Sequence, residues 1–89
     1  MARMDMSLMD TAEIAVSGNN ASALLELGIM YSIGREVEQC LVSAHKWFNL
    51  AAMKGLSEAK EYRQEIADEM SQQEIAEAQR QARDWLSMH

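Results

Sequence analysis

The fold is decided by residues 23–59, which read ALLELGIMYSIGREVEQCLVSAHKWFNLAAMKGLSEA. Small and apolar residues recur in this stretch three and four positions apart, and this spacing places side chains on one face of an α-helix. A short segment around Gly34 separates two such runs, and the second run stops at Gly55. Glycine is common at helix ends because it tolerates a positive φ. The stretch therefore predicts two helices joined by a short loop, which makes them antiparallel neighbours.

The composition extends this prediction to the whole chain. The 89 residues include four glycines and no proline, and an all-β fold would need more of both at its turns. Alanine, methionine, leucine, glutamate and glutamine are abundant, and all of them favour helices. The length allows one small core. We therefore expect a single all-α domain.

Five helices are expected along the chain. They cover about residues 7–17, 21–32, 39–54, 57–70 and 72–86, with Ser57 as a plausible N-cap and residues 71–74 as a capping box of the form S-x-x-E. The residues expected to face the core share helical spacing on each of the last four segments. They are Leu24, Leu27, Gly28 and Tyr31; Leu41, Ala44, Trp47, Phe48, Ala51 and Ala52; Ala59, Tyr62, Ile66 and Met70; and Ile75, Ala78, Ala82 and Trp85 or Leu86.

The spacing across residues 23–59 resembles that of the Sel-one-like repeat (SLR), a helical repeat related to the tetratricopeptide repeat. The signature positions are Ala23, Leu27, Gly28, Tyr31, Gly34, Ala44, Trp47, Ala51, Ala52, Gly55 and Ala59. The resemblance implies a short α–α superhelix in which Gly28 admits the facing helix and Tyr31 and Trp47 fill the space between the two. Glu36 and Cys40 depart from the family pattern, which favours glycine and aspartate at those positions.

The repeat pattern also predicts how the domain is organised. Within one domain spanning residues 1–89, residues 7–19 are a degenerate half-repeat, residues 21–56 a complete repeat and residues 57–89 a C-terminal half-repeat with a capping helix. The last segment looks like the closing segment of some bacterial proteins of this kind. Terminal repeats of solenoids cap the stack in this way.

The charge balance restricts the classes of partner. Fourteen acidic and eight basic residues give a net charge of -6, whereas nucleic-acid and membrane-surface binders normally carry a basic patch. No apolar run approaches the roughly 18 residues of a membrane span. The first residues do not form a secretory signal, and a lone cysteine cannot form an internal disulfide. We therefore expect a cytoplasmic protein without a nucleic-acid partner.

The resemblance implies a binding scaffold whose concave face contacts another protein. Carried onto this chain, the contact positions are Ser22, Leu25, Glu26, Ile29, Ile33, Glu58, Glu61 and Glu65. One apolar wall and one acidic wall would suit an amphipathic or basic segment of a partner. Alternatively, the first helix of the same chain or a second copy of the chain covers the apolar row. In the case of a second copy, the protein would be a homodimeric structural module. The acidic row has its own alternative, a solvated helix face.

Enzymatic activity is not expected. The sequence has no glycine-rich phosphate loop, no G-x-S-x-G motif and no pair of metal ligands at zinc spacing. Cys40 and His45 are five residues apart, which does not place them on one helix face, and His45 is expected to be partly exposed. We predict a non-enzymatic adaptor or small accessory subunit without catalytic residues, metal or cofactor; a hydrolase is a remote alternative.

Overall fold

A computed structural model of the chain describes residues 20–88, which form helices and contain no strand. The helices are α1 (Ala21–Ile33), α2 (Leu41–Met53), α3 (Glu58–Ala67) and α4 (Gln72–Met88). The all-α prediction is confirmed for this part of the chain, and these helices correspond to four of the five expected ones. The expected helix at residues 7–17 and the half-repeat at residues 7–19 lie outside the described residues. No helix within residues 20–88 is long and apolar enough to cross a membrane.

Two of the helix ends are built by residues whose side chains bind the backbone. The Asn20 Oδ1 atom accepts hydrogen bonds from the backbone N–H groups of Ser22 and Ala23, at 2.9 and 3.3 Å, and so caps α1. The predicted capping box at α4 is confirmed. The Ser71 N–H donates to Glu74 Oε1 at 2.8 Å, and the Glu74 N–H donates to Ser71 Oγ at 3.1 Å. These bonds satisfy N–H groups that a helix leaves unpaired in its first turn.

The N-termini of α2 and α3 lack a side-chain cap, and the loop after α1 contains a residue with positive φ. Gly34 ends α1 in the left-handed region at φ 77°, as its position predicted, but Glu36 also has a positive φ of 66°. Cys40 precedes α2 and makes no capping hydrogen bond through its side chain. The expectation that Ser57 caps α3 is wrong, because its backbone is already helical and its side chain makes no capping bond. Glu36, in the loop between α1 and α2, is therefore a strained residue.

Helix α2 is the centre of the packing, since α1, α3 and α4 all lie against it. Gly28 of α1 is a point of close approach to α2. A Cβ added there would lie 2.5 Å from Phe48 Cε1 and nearer still to Cδ1, where ordinary contact is 3.4–4 Å. Fully buried alanines occupy other helix contacts, and they are Ala44, Ala51, Ala59, Ala78 and Ala82. Small residues at these positions allow the helices to approach closely.

The two adjacent aromatic residues of α2 were both expected in the core, and they lie in different parts of it. Phe48, and not Trp47, fills the notch at Gly28 and is fully buried. Trp47 is partly buried and contacts Trp85 of α4 edge to face, with ring centroids 5.9 Å apart and an interplanar angle of 81°. Adjacent residues on a helix point about 100° apart, so only one of the two can face α1. Trp47 consequently joins α2 to α4.

Candidate functional site

The acidic residues predicted on α3 line a shallow cavity of about 330 Å³. Glu58, Glu61 and Glu65 surround it together with Tyr62, and all four side chains are exposed. Positions i, i+3, i+4 and i+7 lie on one helix face, which explains why these residues meet. Glu58 and Glu61 also lie in the first turn of α3, where the helix dipole favours negative charge. Glu58, Glu61, Tyr62 and Glu65 therefore form one exposed face of α3.

Tyr62 gives this acidic surface a fixed aromatic centre. Its ring stacks on Phe48 with a centroid distance of 5.3 Å and an interplanar angle of 29°. Phe48 is itself held in the notch at Gly28, so the Tyr62 ring rests on the core although 39% of the residue remains exposed. The sequence assigned Tyr62 to the core stripe. Its position at the edge of the core explains why it stacks on Phe48 and is nevertheless partly exposed. An aromatic ring held in this way presents a pre-ordered contact surface.

The apolar row predicted on α1 is not a continuous exposed surface. Leu25 is only 9% exposed and belongs to the core cluster, and Ile29 is partly buried against that cluster. Ile33 alone is well exposed, at 63%. The reason is that α1 is apolar around most of its circumference, so more than one of its faces is buried. The row that was expected to lie outside the core is therefore accessible at its Ile33 end.

The polar residues predicted on α1 are exposed. Ser22 and Glu26 both face solvent, and the Glu26 carboxylate lies 3.7 Å from the Arg35 guanidinium. Both partners of this ion pair are more than half exposed, so the pair contributes little to stability. Glu26 is thereby available to contact another molecule at the cost of a weak interaction.

A second cavity lies between α3 and α4 and was not anticipated from the sequence. It has a volume of about 580 Å³ and is called the α3–α4 groove below. Each of the two helices packs on α2, and His45 of α2 lies in the lining between them. The lining residues are His45, Arg63, Gln64, Ala67, Asp68, Met70, Gln72, Ile75 and Gln79.

His45 differs most from its expected environment. It is 3% exposed, so the expectation of partial exposure is wrong. Its Nδ1 atom is buried and has no hydrogen-bond partner among the described residues. Burial, and secondarily the positive charge of Arg63, lowers the pKa of the imidazole below its usual 6.5. The helical spacing of Leu41, His45 and Phe48 could have revealed this burial, because two of the three were already assigned to the core stripe.

Arg63 is the positively charged residue of the groove. Its Nη1 atom donates a 2.6 Å hydrogen bond to Asn49 Oδ1, and the residue is partly buried. Within residues 20–88 Arg63 forms no ion pair with a carboxylate. Asp68 also lines the groove, but its carboxylate accepts a 2.9 Å hydrogen bond from Gln64 Nε2.

Cys40 carries a thiol and lies just before α2. It is partly buried, and the neighbouring Ser43 side chain is the main cause that lowers the pKa of its thiol. No group of three or more His, Cys, Asp or Glu residues within the described part of the chain is arranged to hold a metal ion. Cys40 is not among the residues that line the two cavities.

Comparisons of the chain with models of known protein families, with curated proteins and with solved structures find no match.

Proposed function

We propose that this protein is a non-enzymatic protein–protein interaction module, an adaptor or small accessory subunit that works in the cytoplasm. The single observation that carries the proposal is the α3 surface, where Tyr62 is held on the core among Glu58, Glu61 and Glu65. Membership of the Sel-one-like repeats is part of the proposal. The packing of α1 on α2 and the close approach at Gly28 support that assignment.

The chemistry of the α3 surface favours a basic, amphipathic segment of another protein. Lysine or arginine side chains of such a segment would pair with the three carboxylates, and a guanidinium could also lie over the face of Tyr62. The aromatic ring needs little ordering on binding because it already stacks on Phe48. Ser22, Glu26, Ile29 and Ile33 are further contact candidates on α1.

The test is affinity capture from a lysate of the source cells, followed by a binding measurement with the captured partner. The variant Glu58→Gln/Glu61→Gln/Glu65→Gln removes three charges from the α3 surface. Its matched control, Glu38→Gln/Glu69→Gln/Asp84→Asn, removes three exposed charges that do not line the cavity. We expect the first variant to lose at least about tenfold in affinity, which corresponds to about 1.4 kcal/mol, and the control to bind normally.

Equal weakening in both variants would reject the α3 surface as the contact, since it would show a dependence on net charge alone. Retention of the partner by both variants at wild-type affinity would reject it as well. The affinity of the wild-type protein should also decrease as salt is added, because exposed charges are screened within about 8 Å at physiological ionic strength.

The alternative is self-association, in which a second copy of the chain covers the apolar residues on α1. Because Leu25 belongs to the core, a charge at that position would test folding and not binding. Ile33→Asp is the appropriate probe, since Ile33 is exposed. Sedimentation equilibrium that gives the mass of one chain for the wild-type protein would exclude the homodimer. A dimer that becomes a monomer in the Ile33→Asp variant would support it.

A further inference from the structure

The α3–α4 groove combines two features that the proposed interaction surface does not use. One is a buried imidazole, His45, whose Nδ1 atom has no partner within the described residues. The other is Arg63, a partly buried guanidinium without a carboxylate partner among those residues. Buried polar groups are normally paired, so two incompletely paired groups in one groove require an explanation.

The charged residues that line the groove can be listed element by element, and α2 contributes only His45 to this lining. Helix α3 contributes Arg63, and the connection from α3 to α4 contributes Asp68. Helix α4 contributes only the uncharged residues Gln72, Ile75 and Gln79, and no residue of α1 belongs to the lining. Asp68 is exposed and bonded to Gln64, and it does not form an ion pair with Arg63. The groove lining thus holds one guanidinium, Arg63, that forms no ion pair within residues 20–88.

We propose that the α3–α4 groove binds a ligand that carries a carboxylate group, which pairs with Arg63 while His45 takes up a proton from the solvent. A guanidinium matches a carboxylate with two parallel N–H···O bonds, and the donors not used by Asn49 are suited to this. The negative charge opposes the effect of Arg63 on the imidazole and favours its protonated form. The volume of about 580 Å³ lies in the range of sites for small ligands or for one side chain.

This proposal does not depend on the proposed contact at α3. The groove is lined by Arg63, Gln64 and Ala67 of that helix, whereas the acidic surface is lined by Glu58, Glu61, Tyr62 and Glu65. The ligand carboxylate has two possible sources, a free small organic acid and an acidic side chain of a polypeptide. Both sources share the chemistry that Arg63 and His45 recognise, and suitable probes separate them.

The experiment follows the imidazole resonance of His45 by NMR while probes are added to the full chain. The chain contains two histidines, so a His45→Gln variant assigns the resonance. Sodium succinate represents the free acid, a blocked Glu-Glu dipeptide represents the side chain, and sodium chloride at equal ionic strength is the reference. We expect saturable binding that is coupled to the uptake of one proton by His45. Between the pKa of His45 in the complex and its pKa in the free protein, the affinity should therefore increase about tenfold for each unit by which the pH is lowered.

Arg63→Gln should weaken binding at least tenfold, whereas Arg83→Gln, which changes an exposed arginine of α4 outside the groove, should leave it unchanged. If Arg63→Gln does not fold because the bond to Asn49 is lost, Arg63→Lys keeps the charge and should reduce the affinity several-fold. Saturation by succinate alone assigns a free acid, and saturation by the dipeptide alone assigns an acidic side chain. The proposal is overturned if neither probe saturates up to 100 mM, if the variants at Arg63 bind like wild type, or if affinity is independent of pH.

Discussion

Gly28→Ala should destabilise the protein although alanine is the better helix former. The new Cβ would lie 2.5 Å from Phe48 Cε1, about 1 Å inside ordinary contact distance. Phe48 is fully buried and stacks on Tyr62. Its ring cannot move away from the new Cβ without disturbing the core packing and this stacking contact. Overpacking of this kind costs about 1–3 kcal/mol, and the gain in helix propensity returns up to about 1 kcal/mol. We expect a net loss of about 1–2 kcal/mol.

Urea denaturation followed by far-ultraviolet circular dichroism measures this loss. A decrease of 1 kcal/mol in a domain of this size also lowers Tm by about 4–8 °C. Ala76→Gly on the exposed face of α4 is the matched control, and it should cost about 1 kcal/mol through propensity alone. The two substitutions are opposite in direction, so propensity cannot account for a loss of stability in both.

A double-mutant cycle with Phe48→Leu identifies the cause. In the Phe48→Leu background the smaller and more adaptable side chain leaves room for the new Cβ, and Gly28→Ala should cost at least about 1 kcal/mol less than in the wild type. The reasoning would be refuted if Gly28→Ala were as stable as the wild-type protein, or if its cost were the same in both backgrounds.

Three further predictions concern single residues. Burial lowers the pKa of His45 below 6.5, so the unfolded chain binds the proton more readily. The stability that this group contributes is therefore complete above about pH 7 and decreases as the pH falls below 6.5, and urea midpoints for His45→Gln should lack this component. Ser71→Ala removes half of the capping box and should cost about 1 kcal/mol, to be measured by thermal melting. Glu36→Gly should raise Tm, because a non-glycine residue at φ 66° is strained by about 1 kcal/mol; a lower Tm would mean that the added freedom of the unfolded chain outweighs the strain.

Much of the fold followed from local rules. The order and approximate bounds of the four described helices, the end of α1 at Gly34 and the capping box at Ser71 depend on residues close in sequence. The close approach at Gly28 also followed, because the absence of a side chain at that point of the stripe predicts a contact. The occupant of that notch did not follow, since Trp47 and Phe48 are both large and only the rotation of α2 selects between them.

The candidate sites were predictable to different extents. The acidic α3 residues were assigned through the resemblance, and helical spacing explains why they share one face, because all of them lie on one helix. The accessibility of the α1 row did not follow from the sequence, since the burial of Leu25 depends on how many neighbours pack around an almost wholly apolar helix. The α3–α4 groove was not anticipated at all. It forms where α3 and α4 both pack on α2, and its lining includes His45 of α2. Residues of three helices meet there, and local spacing along one helix does not predict such a meeting.

The contact between Trp47 and Trp85 makes the interface of α2 and α4 directly observable. The chain contains two tryptophans, and both belong to this contact. Excitation at wavelengths that tyrosine does not absorb therefore selects emission from this single interface, without an attached dye. Detachment of α4 would alter the emission spectrum even when every helix remained intact. The intrinsic fluorescence of the unmodified protein can thus distinguish loosening at its C-terminal end from loss of the whole fold.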